Sequence, residues 1–195
     1  MSKHYESGRG LQEKILEGVD ILADNVASTL GPRGRNVVLY KVGAPSPIIT
    51  KDGVTVAKFV DLDDPVQNVG AQLVKQAASQ TNTNAGDGTT TATVLAREIL
   101  VQAQRHLVAG SSPVELKRGM DKAVAVVVDY IKDMSVPVSS EEDVRHVATI
   151  SANGDTSVGD LVTMAVDQAG KDGAITIEEA RSSETSLNVV EGFRF

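Results

Sequence analysis

Leu11, Ile15, Val19, Leu22, Val26 and Leu30 recur at steps of three and four residues, with Leu16 and Ala23 beside them. That period lines their side chains along one stripe of a helix and commits the stripe to a core. Gly31 followed by Pro32 stops the helix. A second pattern runs through Val66, Val69, Leu73 and Val74, predicting a helix over 64–80 with Pro65 in its first turn, before the polar run 81–85. A Gly-Asp-Gly turn at 86–88 opens a third helix over 89–108, ended by Gly110. In a fourth, expected over 113–134, Ser112 caps, Pro113 fits the first helical position and Glu115 reaches back as a capping box. After Pro137 the texture changes. Shorter helices are expected over 141–150 and 157–169, separated by a Ser-Ala-Asn-Gly break.

Short strands are expected over 36–41, 48–50, 174–178 and 187–190, and Lys51-Asp52-Gly53 reads as a turn. The class is therefore mainly α with short β elements, with a domain boundary near 135. Aromatic residues are only 3% of the chain, so its core must be assembled from Val, Ala, Leu and Ile.

The remaining composition narrows the function classes. With no cysteine, neither disulfides nor thiol chemistry take part. A net charge of -7 with scattered basic residues argues against nucleic acid, whose phosphates demand clustered Lys and Arg. The longest apolar stretch, 123–128, is closed by Asp129 and is far too short for a bilayer, so no membrane association is expected. The first residues lack the apolar run of a secretory signal, and a cytoplasmic location is expected.

The stretch with most chemistry is Ala85-Gly86-Asp87-Gly88-Thr89-Thr90-Thr91-Ala92-Thr93, a glycine-rich turn leading into a helix. Amides at a helix start favour an anion, and glycines let the backbone come close to it. Three successive hydroxyls add donors. Asp87 would repel a phosphate unless a hard cation lay between them, which points to Mg²⁺ shared by Asp87 and phosphate oxygens. The same letters are equally met by a plain turn with Thr89 as cap. A Walker A loop is excluded, because no Lys-Ser or Lys-Thr follows the glycines. Lys51-Asp52-Gly53 offers an exposed carboxylate, yet Lys171-Asp172-Gly173 repeats those letters, so one copy at least is expected to be turn chemistry alone. His4, His106 and His146 show no metal-ligand spacing and are expected at the surface.

Five segments carry a resemblance: Thr29-Leu30-Gly31-Pro32-Arg33-Gly34-Arg35-Asn36-Val37-Val38, Ile49-Thr50-Lys51-Asp52-Gly53-Val54, the glycine loop extended through Val94-Leu95, Leu116-Lys117-Arg118-Gly119 and Thr149-Ile150-Ser151-Ala152-Asn153. In this order and spacing the chain resembles the N-terminal portion of the group I chaperonins of bacteria and organelles, the GroEL type. The resemblance implies the N-terminal half of a helical equatorial ATP-binding domain over 1–135, the first segment of an α/β intermediate hinge domain over 136–190, and the start of an apical domain at 191–195. It further implies that Thr29, Leu30, Gly31 and Pro32 line a nucleotide, that Lys51 lies near a K⁺ ion, and that Asp87 holds Mg²⁺. Gly88, Thr89, Thr90 and Thr91 would grip the phosphates of ATP, Asp52 would orient the attacking water, and Ile150 and Ser151 would approach from the hinge side. Pro137 and Gly192 match hinge positions. The implied work is ATP-driven: a homo-oligomeric ring of these subunits assists unfolded client proteins, with a lid-type co-chaperonin as a possible partner.

The connection 41–48 departs from the family. It lacks the aromatic usual before Gly-Ala-Pro and is richer in proline, which puts ring contacts and subunit number in question and is compatible with a viral or atypical bacterial version. The family's remaining apical residues, its returning hinge segment with a second carboxylate, and its C-terminal equatorial half have no counterpart in these 195 residues. A portion of a longer protein is therefore expected. Two other readings compete with an ATP-hydrolysing subunit. One is a truncated chaperonin-like module that binds nucleotide or a partner ring without hydrolysis. The other is a small phosphotransferase built on the Gly-Asp-Gly loop, for which no base or acceptor site beyond Asp52 stands out.

Overall fold

The apolar stripe that opens the chain becomes α1, Gly8–Ala27, whose Val19, Leu22, Ala23 and Val26 are fully buried. In this computed structural model, residues 7–43, 45–170, 173–178, 185–190 and 192 are described. The chain divides into two units, one up to Val126 and one from Val127. Leu30, expected on the stripe, lies beyond the helix and is exposed. The reason is local: the amides of Ser28 and Thr29 and both their hydroxyls turn back onto the carbonyls of Asp24, Asn25 and Val26. Those bonds finish the helix before Gly31 is reached.

Two short antiparallel strands follow, β1 (Val37–Leu39) and β2 (Ile48–Thr50), with Val38 opposite Ile49. The expected turn at Lys51-Asp52-Gly53 instead opens a helix, α2 (Gly53–Phe59). Asp52 makes the difference, since its carboxylate accepts from the amides of Val54 and Thr55 and so caps the first turn. The other end of α2 is held by Lys75, whose ammonium donates to the carbonyls of Val60 at 2.7 Å and Lys58 at 3.3 Å. Lys75 belongs to α3, Pro65–Ala85, capped by Asp64. This helix runs five residues past the expected end. Its polar last turns are self-satisfied, with Thr81 and Thr83 donating back to Ala77 and Ser79, and the helix stops only at Gly86, which takes φ 73°. α4 (Thr89–Val108) and α5 (Pro113–Met134) occupy the ranges expected for them.

The core of this unit is Val19, Leu22 and Val26 of α1, Val56 and Ala57 of α2, and Ala71, Val74 and Ala78 of α3, flanked by Ala96 and Leu100 of α4. Without rings to fill space, the helices must approach closely, and α1 and α3 do so at two glycines. A Cβ at Gly18 would overlap the Gln67 carbonyl, and one at Gly70 would overlap the Ile15 carbonyl. α4 is tied to α1 by Arg97, whose guanidinium reaches Asp20 at 2.8 Å and Asp24 at 3.0 Å.

Beyond Val127 the chain completes α5 and forms α6 (Glu141–Ser151) and α7 (Thr156–Ala169). α6 starts with a reciprocal capping box between Ser140 and Asp143, and α7 with Asp155 as cap. Asn153 and Gly154, both at positive φ, make the break between them. Among the described residues the strands expected over 174–178 and 187–190 are not formed, neither segment having a partner strand there. Lys171 and Asp172 lie outside the described residues, as does His4. No described helix is long and apolar enough to cross a membrane.

Two outcomes follow for stability. Gly70→Ala is expected to destabilise the protein by about 1–3 kcal/mol through overlap with the α1 backbone. Gly119→Ala, in the open on α5, is expected to stabilise by about 0.5–1 kcal/mol, both read from denaturant midpoints. The Asp143 carboxyl is held below its ordinary value of 3.8, first by the Ser140 hydroxyl and then by the Ser139 and Ser140 amides. A depressed folded value means that the contribution is complete above 3.8 and is lost as pH falls through the folded value. The stability difference between the wild-type protein and Ser140→Ala should therefore hold constant from neutral pH down to that point and shrink below it.

Candidate functional site

Helix starts in this chain are usually closed by their own side chains: Asp52 on α2, Asp64 on α3, Ser140 on α6 and Asp155 on α7. α4 is different. Its cap is Gly88, at φ 79°, and no side chain accepts from its first amides. The first helical donor is Ala92, to the Gly88 carbonyl, so the amides of Thr89, Thr90 and Thr91 precede the helical ladder. They point out of the helix at its positive end. Gly86 and Gly88 both hold left-handed backbone, with open space where a Cβ would stand. Asp87, between them, accepts from the Gly88 amide at 2.6 Å.

Two further segments converge on this helix start. The first is the end of α1. Thr29 is buried and gives its hydroxyl proton to Val26 at 2.7 Å, which leaves its oxygen to accept from Thr90, 3.3 Å away. Arg35 donates back to the Ser28 carbonyl at 2.9 Å and Gly34 to Gly31 at 2.9 Å, closing Thr29–Arg35 into a tight loop in which Gly31 takes φ 69°. Leu30, Gly31 and Pro32 are exposed on that loop. The second segment is the start of α2. A Cβ on Gly53 would overlap the Thr90 hydroxyl and come within 3.3 Å of that of Thr89. Asp52 is thus one residue from the first turn of α4, with half-buried Lys51 just before it.

The fold therefore brings Thr29 and Gly53 against Thr89 and Thr90 at one helix start, with the 30–32 loop following Thr29, Lys51 and Asp52 preceding Gly53, and exposed Thr91 continuing the same turn. Ile150 and Ser151 are on the last turn of α6, in the second unit, where Ile150 is exposed. Pro137 lies exposed between α5 and α6, and Gly192 holds φ 106°. His106 and His146 are exposed. Two contributors escaped the sequence reading. Gly53 acts by having no side chain, and Gly34 likewise, since a Cβ there would overlap the Thr29 carbonyl. Both stand in segments that carry the family resemblance, which assigned neither a role.

Among the described residues no three His, Cys, Asp or Glu side chains converge as a metal cage. A cation at Asp87 would need most of its oxygen ligands from a bound anion or water, which suits Mg²⁺ held with phosphate. The donor set of outward amides, hydroxyls and one carboxylate fits that group.

A mainly helical unit in which a glycine-capped helix start meets the end of one helix and the start of another is the class that fold and site define. The chain belongs to the TCP-1/cpn60 chaperonin family, whose model matches residues 22–195. It is similar to the chaperonin gp146 from the bacteriophage EL 2 (Pseudomonas aeruginosa), crystallised in the presence of ATP-BeFx, with 28% identity and a TM-score of 0.65 over 81% of this chain. The matched region spans 28% of that chaperonin's length.

Gly53→Ala tests the convergence. The added methyl is expected to push Thr90 off Thr29 and lower stability by about 1–3 kcal/mol, whereas Gly86→Ala, facing open space, costs only its backbone strain of about 1–2 kcal/mol. Local amide exchange in the first turn of α4 should rise only in the first variant.

Proposed function

We propose that this chain is the nucleotide-binding portion of a group I type chaperonin subunit, in which ATP hydrolysis drives the conformational changes that assist protein folding. The observation that carries the reading is the glycine-capped start of α4. It is a positive helix end without a side-chain cap, with Thr29 and the start of α2 set against it. Likeness to a chaperonin crystallised with an ATP analogue supports a nucleotide as the anion.

In this reading residues up to about 135 form an equatorial ATP-binding domain and 136–190 the first segment of an intermediate hinge domain, with the apical domain beginning at 191. The outward amides of α4 and the hydroxyls of Thr89, Thr90 and Thr91 bind phosphate oxygens, and Thr29 fixes Thr90 in place. Bound at Asp87, Mg²⁺ supplies charge neutralisation for the phosphates. Thr29, Leu30, Gly31 and Pro32 line the nucleotide, Lys51 lies near K⁺, and Asp52 accepts a hydrogen bond from the attacking water. Ile150 and Ser151 contribute from the hinge side when the domains close. Phosphoryl transfer of this kind depends on positioning and charge stabilisation, and those are what rigid helix starts offer. The complete protein would act as a cytoplasmic homo-oligomeric ring on unfolded clients, with Pro137 and Gly192 as hinges and a lid-type co-chaperonin where one is present.

The test is steady-state ATPase of the full-length chain in its assembled form, with Mg²⁺, beside an Asp87→Ala variant. Turnover is expected in the wild-type protein, and a loss of about a hundredfold or more in the variant. ATP binding without turnover would favour the non-hydrolysing module, and transfer of phosphate to an acceptor other than water would favour a phosphotransferase.

A further inference from the structure

The carboxylate of Asp52 is asymmetrically committed. Its Oδ2 accepts twice, from the Thr55 amide at 2.9 Å and from the Thr55 hydroxyl at 2.6 Å. Its Oδ1 accepts once, from the Val54 amide at a long 3.3 Å. The Asp52 amide in turn donates to the Thr50 hydroxyl at 3.0 Å, so the residue is pinned from both sides in sequence. A carboxylate oxygen has two lone-pair directions. Oδ2 has both used, while Oδ1 keeps one unused and has only a weak partner on the other. The residue is exposed, so water reaches it.

The Thr55 hydroxyl is the one donor of this set that the helix does not supply as a matter of course. Backbone amides at 54 and 55 come with any α2, and would cap equally through either oxygen or through a rotated carboxylate. A second donor from the same residue onto the same oxygen removes that freedom. It fixes which oxygen is saturated at the helix start and which keeps a lone pair to spare, one residue before Gly53, which abuts the Thr89–Thr90 turn.

We propose that Thr55 is a positioning residue for ATP hydrolysis, its hydroxyl saturating Oδ2 of Asp52 so that Oδ1 is the oxygen that orients the attacking water. The inference rests on the role given above to Asp52. In this role Thr55 acts through that carboxylate, the acceptor of its hydroxyl.

The experiment is ATPase kinetics on the full-length assembled protein carrying Thr55→Val, Thr55→Ser, Asp52→Asn, and Asp52→Asn combined with Thr55→Val. Thr55→Val keeps the shape and removes the donor, so kcat is expected to fall about tenfold or more with KM for ATP unchanged, because a hydrogen bond to a charged group is lost and phosphate binding is not. Thr55→Ser restores the hydroxyl and should recover most of the rate. In the Asp52→Asn background, Thr55→Val should have no further effect, as expected of a residue that works only through Asp52. Binding of a non-hydrolysable ATP analogue to each variant reports that the site is folded. If Thr55→Val turns over at the wild-type rate while Asp52→Asn is slow, or if Thr55→Ser is as slow as Thr55→Val, the positioning role is wrong and the role of Asp52 stands. If Asp52→Asn itself hydrolyses ATP at the wild-type rate, the reading of Asp52 has failed and the inference goes with it.

Discussion

The architecture of the first unit depends on how closely α1 and α3 can cross. Gly18 and Gly70 put each helix's backbone against the other's, so that a methyl group at either position would overlap a main-chain carbonyl of its neighbour. A core with few rings has no other way to reach protein density. Val and Ala have too little volume to bridge helices held at the usual separation, and the gap would cost dispersion contacts along its whole length. Once the crossing is fixed, Val19, Leu22 and Val26 meet Ala71, Val74 and Ala78. The end of α1 is then set, and Thr29 with it, beside the helix that starts at Thr89.

The second organising choice is where the chain spends its capping side chains. Four helix starts are closed by an Asp or Ser that takes up the first amides. The start of α4 is left to a glycine. In an isolated helix that omission would simply forfeit a cap. Here the glycine-capped start lies against Thr29 after α1 and Gly53 at the first turn of α2. That contrast makes the α4 start stand out as a place for an anion, where the equally polar start of α3 does not.

Much of this could be read from the chain alone. The three-four spacing located α1, and the Ser-Pro-x-Glu signature located α5, because both signals are local. Family resemblance assembled the segments around 29–32, 51–53 and 87–91, which no periodicity connects. What escaped was whatever depends on partners. Lys51-Asp52-Gly53 has the letters of a turn, and only the burial of Val54, Val56 and Ala57 shows that they open a helix. The polar end of α3 reads as a loop until the threonines are seen to bond their own helix. The alternating residues of 174–178 and 187–190 have strand composition, yet a strand is defined by a neighbour, and among the described residues these segments have none. Gly18, Gly34, Gly53 and Gly70 matter for the space they leave, which a sequence records only as the absence of a side chain.

The short α2 is clamped at both ends by different neighbours. Lys75 of α3 grips the carbonyls of Lys58 and Val60, and Gly53 bears on the first turn of α4. Seven helical residues make a rod about 10 Å long, too short to bend appreciably under thermal load. α3 and α4 therefore share one spacer, whose length sets how far the lysine anchor lies from the Thr89–Thr90 turn.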